Sequence, residues 1–201
     1  MPPRPESRLL VLACALLAIS PAFALQSDRN QPLDIEANHQ KSERSRSGKT
    51  GDPDVTRLDG NVVMTRGTMR ASADHAVIYS NPAGVADAHG NEGGPIRAVL
   101  TGKPAQLRQV QDMDCRLVVA DADTIDYDTV TGIALLTGDV HVVQQGKGDF
   151  RGERMRYDTN TGEMEGGGDS GTGRVHMTIQ PKSTSAATTK SGDCAKAAST
   201  H

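Results

Sequence analysis

The chain has 201 residues, a net charge of −3 and a 2% aromatic content, with no tryptophan, three tyrosines and two phenylalanines. The mild acidity and mixed charges exclude a nucleic-acid or anionic-membrane partner held by bulk charge. The scarcity of aromatics excludes the usual aromatic-rich core, so Val, Leu, Ile, Met and Ala must line the interior.

The first element is a secretory signal, residues 1–24. Arg4 and Arg8 form its basic start, Leu9 to Ile19 is its apolar run, and Ala22-Phe23-Ala24 offers small-x-small cleavage between Ala24 and Leu25. The run is shorter than the roughly 20 residues a membrane-spanning helix needs. Cleavage removes Arg4, Glu6 and Arg8 and leaves a net charge of −4.

Strands follow. Leu33, Ile35 and Ala37 alternate with Asp34, Glu36 and Asn38. Gln40 to Pro53 is polar and reads as a short exposed hairpin or a loop. Leu58, Gly60, Val62 and Met64 share one face of the next strand, and Leu136, Gly138, Val140 and Val142 repeat that face later. Val175, Met177 and Ile179 alternate near the end. This two-residue period is that of half-buried strands. Beyond Pro181, residues 181–201 are Ser, Thr, Ala and Lys without periodicity, the composition of a disordered tail.

The strands recur as a larger unit. Leu58-Asp59-Gly60, Leu100-Thr101-Gly102 and Leu136-Thr137-Gly138 each open a module, which runs on to Tyr79, Tyr127 or Tyr157. A glycine stands five residues after each tyrosine, at Gly84, Gly132 and Gly162, where a strand-joining turn is expected. Repeats of a few short strands predict stacked or coiled β architecture, whose end units expose strand edges. An exported chain could join Cys115 and Cys194 in a disulfide, but two cysteines are no framework, and the expectation is a buried thiol at Cys115 and a dispensable one at Cys194 in the tail.

No phosphate loop or nucleophile elbow is present. No histidines have metal-ligand spacing, so no metal and no cofactor is expected. Asp121, Asp123, Asp126 and Asp128 lack the glycine and glutamate of a calcium loop, and simple alternation splits them across two faces.

Several stretches carry a resemblance. Asp28 to Asn38, Leu58 to Gly67, Gly102-Lys103-Pro104-Ala105, Gln109 to Asp112, Leu136 to Val140 and Arg174 to Pro181 occur in the order of the OstA-like family of lipopolysaccharide-export proteins, which they resemble. The resemblance implies a twisted, open-ended β-jellyroll, a V-shaped trough of antiparallel strands over residues 25–180. It implies a non-enzymatic periplasmic carrier that stacks head to tail as a homo-oligomer. It also implies partners: lipopolysaccharide through its lipid A acyl chains, an LptC-like inner-membrane component and an LptD-like outer-membrane component. A secreted β-solenoid enzyme acting on polysaccharide, or an OstA-like adaptor domain of another export component, is the alternative.

The expected lipid-facing residues are Leu33, Ile35, Val62, Met64, Met69, Ala71, Ile125, Tyr127, Val140, Val142 and Met155. The expected pairing edges are Leu33, Ile35 and Ala37 at one end and Val175, Met177 and Ile179 at the other. Leaving one twelve-carbon chain in water costs roughly 9–10 kcal/mol, at about 0.8 kcal/mol per methylene. An apolar trough removes that cost without chemistry.

Overall fold

A computed structural model describes residues 28, 31–44, 52–88, 90, 92–111, 115–167 and 174–181. The expected signal peptide, its expected cleavage site and the expected tail beyond Pro181 lie outside the described residues.

Alternation makes strands here because each strand has one apolar face to bury. The strands are β1 (Asp34–Glu36), β2 (His39–Glu43), β3 (Asp54–Arg66), β4 (Met69–Ser80), β5 (Pro95–Val110), β6 (Leu117–Asp128), β7 (Ile133–Gln144), β8 (Gly148–Asp158), β9 (Met164–Gly166) and β10 (His176–Ile179). They form one antiparallel sheet in the order β1-β3-β4-β5-β6-β7-β8-β10, with β2 also on β3 and β9 also on β8. The architecture is all-β, an unclosed β-jellyroll trough.

Each of the six long strands is interrupted near its middle. Register shifts fall at Asp59/Val62, Ser72/His75, Thr101/Ala105, Asp121/Thr124 and Thr137/Val140. Extra residues at such bulges bend a strand. Aligned across neighbours, they form a belt that divides the sheet into two halves. One half holds Val62–Arg66, Ala105–Val110 and Val140–Gln144; the other holds Asp54–Asp59, Pro95–Thr101 and Ile133–Thr137. Inward residues of both halves belong to one buried cluster, so the halves face each other.

The Leu-x-Gly motifs therefore mark the bend and not the opening of a module. Gly60 and Asn61 have φ of 78° and 49°, and Gly138 and Asp139 have 77° and 41°. Paired left-handed residues turn the strand through its bulge, which is why glycine with Asn or Asp recurs there. The glycines after the tyrosines have positive φ as well, and Gly132 and Gly162 sit in tight turns closed by bonds to the carbonyls of Asp128 and Asp158. Gly84 lies instead in the longer connection between β4 and β5.

The polar segment after Asn38 resolves into β2, which pairs with β3 from His39↔Asp59 to Glu43↔Val55. Its exposed side chains are held by Arg57 Nη1 donating to Glu43 Oε2 at 2.9 Å and by the Lys41–Glu43 pair.

Gly138→Ala should destabilise the fold by about 1–3 kcal/mol, because the new Cβ would also collide with the Asp123 carboxylate. Gly94→Ala meets open space and should stay within about 0.5 kcal/mol. Urea unfolding followed by circular dichroism compares the two.

Candidate functional site

The space between the two half-sheets is the candidate site. Val62, Met64, Met69, Ala71, Ile125, Tyr127, Val140, Val142 and Met155 all line it, each no more than 2% exposed. They belong to one buried cluster, whose own side chains occupy the space between the half-sheets. Leu33 and Ala37 pack partly against this cluster. Ile35, opposite Met64 on the end strand, is 37% exposed.

Leu58 and Leu136 are buried on the face that alternation gave them, and Ala134 and Tyr157 extend the same rows; Ala76, Ile78, Ala98, Leu100, Leu107, Val118 and Ala120 are also buried and were missed. Where a strand crosses a phase-changing bulge, the reason is phase. In β4 the inward residues are Met69 and Ala71 before the bulge but Ala76 and Ile78 after it. In β6 they are Val118, Ala120 and Ala122, then Ile125 and Tyr127. One extra residue moves every later side chain to the other face.

The same shift corrects the aspartate cluster. Asp121, Asp123, Asp126 and Asp128 are not split across faces; all four alternate with buried residues and stand on the outer surface. Asp121 accepts from Gln106 at 2.8 Å, Asp126 from Arg97 at 2.7 Å, and Asp128 from the Val130 and Thr131 amides at 2.9 Å. Tyr79 differs from the other tyrosines for a related reason. It follows inward Ile78 and points outward beneath the Arg97 guanidinium, 5.5 Å from its ring centre.

An outer groove of about 1060 Å³ follows the bend, lined by residues such as Asp74, His75, Lys103, Asp121, Asp139 and Arg151. Its lining mixes these charged side chains with Pro104 and Ala122.

The interior is apolar up to the strand tips, where polar side chains take over. Gln109 and Gln144 occupy inward positions and are buried. Gln144 Nε2 donates to Gln111 Oε1 at 2.9 Å. Tyr157 Oη, on the opposite half, donates to Gln109 Oε1 at 3.0 Å. Gln109 Nε2 in turn donates to the Thr159 carbonyl at 3.1 Å and to Asp28 Oδ2 at 3.0 Å. Sequence periodicity has no signal for these contacts, because their partners lie up to 81 residues apart.

Among the described residues both ends of the trough are open. At one end, β1 and β2 each pair with β3 alone among the described strands. At the other, β9 and β10 each pair with β8 alone among them. On the final strand and its approach, Val175, Met177 and Ile179 are 41%, 52% and 69% exposed. Met177 lies opposite Phe150, an inward residue, so this apolar row continues the inner wall past the last covered strand.

Cys115 is disulfide-bonded, not a free buried thiol. Its partner lies outside the described residues.

A family model described as "LptA/(LptD N-terminal domain) LPS transport protein" matches residues 34–163. Among curated relatives, the lipopolysaccharide export system protein LptA of Escherichia coli K12 is 32% identical over 173 residues, covering 86% of this chain and 84% of that one. The lipopolysaccharide export system protein LptH of Pseudomonas aeruginosa is 29% identical over 175 residues, covering 84% and 90%. A crystal structure of LptH, titled the LptA-homologous periplasmic component of the lipopolysaccharide transport device of P. aeruginosa, superposes with a TM-score of 0.60. That structure is 26% identical, and the match covers 77% of this chain and 99% of the other.

Burial pushes the Tyr157 phenol well above the ordinary tyrosine range. A phenol whose pKa is raised on folding contributes stability below the unfolded tyrosine value of about 10 and loses that contribution as pH rises beyond it. Stability measured by urea unfolding should therefore fall from pH 9 to 11 (about one unit either side of that value), and Tyr157→Phe should flatten the fall.

Proposed function

The chain belongs to the LptA/(LptD N-terminal domain) LPS transport protein family, and on that premise we propose that it carries lipopolysaccharide across the periplasm by holding its acyl chains between the two half-sheets. The observation that carries this reading is the continuous apolar wall, which runs from Ile35 at one open end to Val175, Met177 and Ile179 at the other. Such a wall shields hydrocarbon along its length and offers no directional bond that would stop sliding. Methionines at Met64, Met69 and Met155 suit this task, because their flexible side chains adapt to irregular apolar partners.

In this reading residues 1–24 direct export and are removed after Ala24. Residues 25–180 form the carrier, and residues 181–201 form a polar tail. The lipid-facing set is Leu33, Ile35, Val62, Met64, Met69, Ala71, Ile125, Tyr127, Val140, Val142 and Met155.

The ends bridge. β1 and β10 both belong to the same half-sheet, pairing with Val63–Thr65 and Gly148–Arg151. Adding the β10 edge of one copy to the β1 edge of the next continues that half-sheet and the trough together. Charge blunts the neighbouring edge: β2 carries Lys41 and Glu43, which disfavour casual pairing there. The same two edges fit related domains of the LptC-like inner-membrane and LptD-like outer-membrane components.

Two experiments test this. A photo-crosslinking residue at Ile35 or Tyr127 should capture lipopolysaccharide in irradiated cells. Absence of capture at both sites, with the protein folded, would sink the carrier reading. Ile179→Glu should reduce self-association in light scattering by an order of magnitude or so, the cost of about 1.4 kcal/mol at the edge. Unchanged oligomers would count against edge pairing.

A further inference from the structure

The filled interior poses a question that the carrier reading leaves open. A hydrocarbon chain cannot occupy space that side chains already fill at 0–2% exposure. The half-sheets must part before a ligand enters. What holds them together at the mouth is a row of hydrogen bonds between strand tips that only the fold brings together.

One tip carries the turn after β3, the end of β5 and the turn after β7. The facing tip carries the turns after β6 and β8. Arg66 Nη1 crosses between them to the Thr129 carbonyl at 3.2 Å. Gln109 Nε2 crosses to the Thr159 carbonyl at 3.1 Å, and Tyr157 Oη crosses back to Gln109 Oε1 at 3.0 Å. The Gln111 side chain reaches across until it lies against Gly162, where a Cβ would have no room. The extreme start of the described chain straps the same seam. Asp28 accepts from the Thr68 amide at 2.7 Å, from the Thr68 hydroxyl at 2.6 Å and from Gln109 at 3.0 Å. Arg66 Nε adds a bond to the Gln31 carbonyl at 3.3 Å.

We propose that this row is a latch on a lateral gate, and that acyl chains enter by separation of the two strand tips along the mouth, resting on the carrier reading above. The chemistry suits a latch. The core behind it is apolar and non-directional, so parting the halves onto a hydrocarbon ligand exchanges one apolar contact for another. Opening therefore costs the seam's polar bonds, each of which is worth little net because water replaces the lost partner. Those groups regain partners on opening, because the tips lie at the surface and water or the polar part of the lipid replaces the lost acceptors. A seam of side-chain amides, one phenol, one guanidinium on carbonyl acceptors, one carboxylate on amide and hydroxyl donors, and backbone carbonyls is weak enough to open and numerous enough to reclose. A second apolar row in its place would instead grip the chains at the entrance.

The test uses the mature chain with Cys115 left in its disulfide and spin labels attached through a ketone-bearing unnatural residue at positions 147 and 131, in opposing tip turns. Purified lipopolysaccharide is added, bound lipid is quantified, and the label distance is read by pulsed electron spin resonance. Lipid uptake with a lengthened distance supports the gate. In parallel, Tyr157→Phe removes one cross-seam bond without changing side-chain shape, and should speed loading about two- to tenfold, the factor for one neutral hydrogen bond. Arg66→Met tests an independent latch point and should also speed loading, with unchanged β circular dichroism showing that each variant is folded. Normal uptake with an unchanged distance and unchanged rates in both variants overturns the gate and assigns entry to the open ends. No uptake by the parent chain overturns the carrier reading itself, and the gate with it.

Discussion

The constraint on which the molecule depends is the bend that runs across its long strands. Six strands of 11 to 16 residues would otherwise make a broad sheet with one apolar face in water. The left-handed pairs Gly60-Asn61 and Gly138-Asp139, with irregular segments at the same level in their neighbours, fold that sheet onto itself. The apolar face becomes an interior. The outer face, with Arg97–Asp126, Gln106–Asp121 and His75–Asp59, stays in solvent.

A sheet folded in this way has three kinds of boundary, and each has different chemistry. The bend is sealed covalently, since all six long strands pass through it. The mouth is closed by side-chain and backbone hydrogen bonds among Arg66, Gln109, Tyr157 and the turn carbonyls. The two ends are not closed at all, and there the inner wall is bare at Ile35 and at Val175, Met177 and Ile179. Strength falls from covalent bond to hydrogen bond to open edge. That gradient fits the proposed carrier, in which growth at the ends and entry through the side are both proposals.

The low aromatic content fits the same picture. An interior built from Ala71, Ala98, Ala105, Ala120, Ala122 and Ala134 beside Leu, Val, Ile and Met brings the half-sheets close and leaves no rigid ring pairs to be broken on opening. Tyr157 and Tyr127 are the aromatic exceptions in the buried cluster, and Tyr157 spends its hydroxyl on the seam.

By itself the sequence determined the strand period, the apolar composition of the interior, the family and the two apolar ends, because each is local or compositional. Val62, Met64, Val140 and Val142 were legible since the Leu-x-Gly bulges in their strands preserve the phase of alternation. Ala76, Ile78, Ala98 and Leu100 were not legible, and the face of Asp121 to Asp128 was misread, because a bulge reverses phase and is defined by the partner strand. Only the tertiary structure decided that the Leu-x-Gly motifs bend strands and that Tyr79 points outward. It alone brought Asp28, Arg66, Gln109, Tyr157 and Thr159 into one seam. A two-residue period reports which side of its own strand a residue occupies. It carries nothing about which distant strand will lie across from it, and that is what sets the seam.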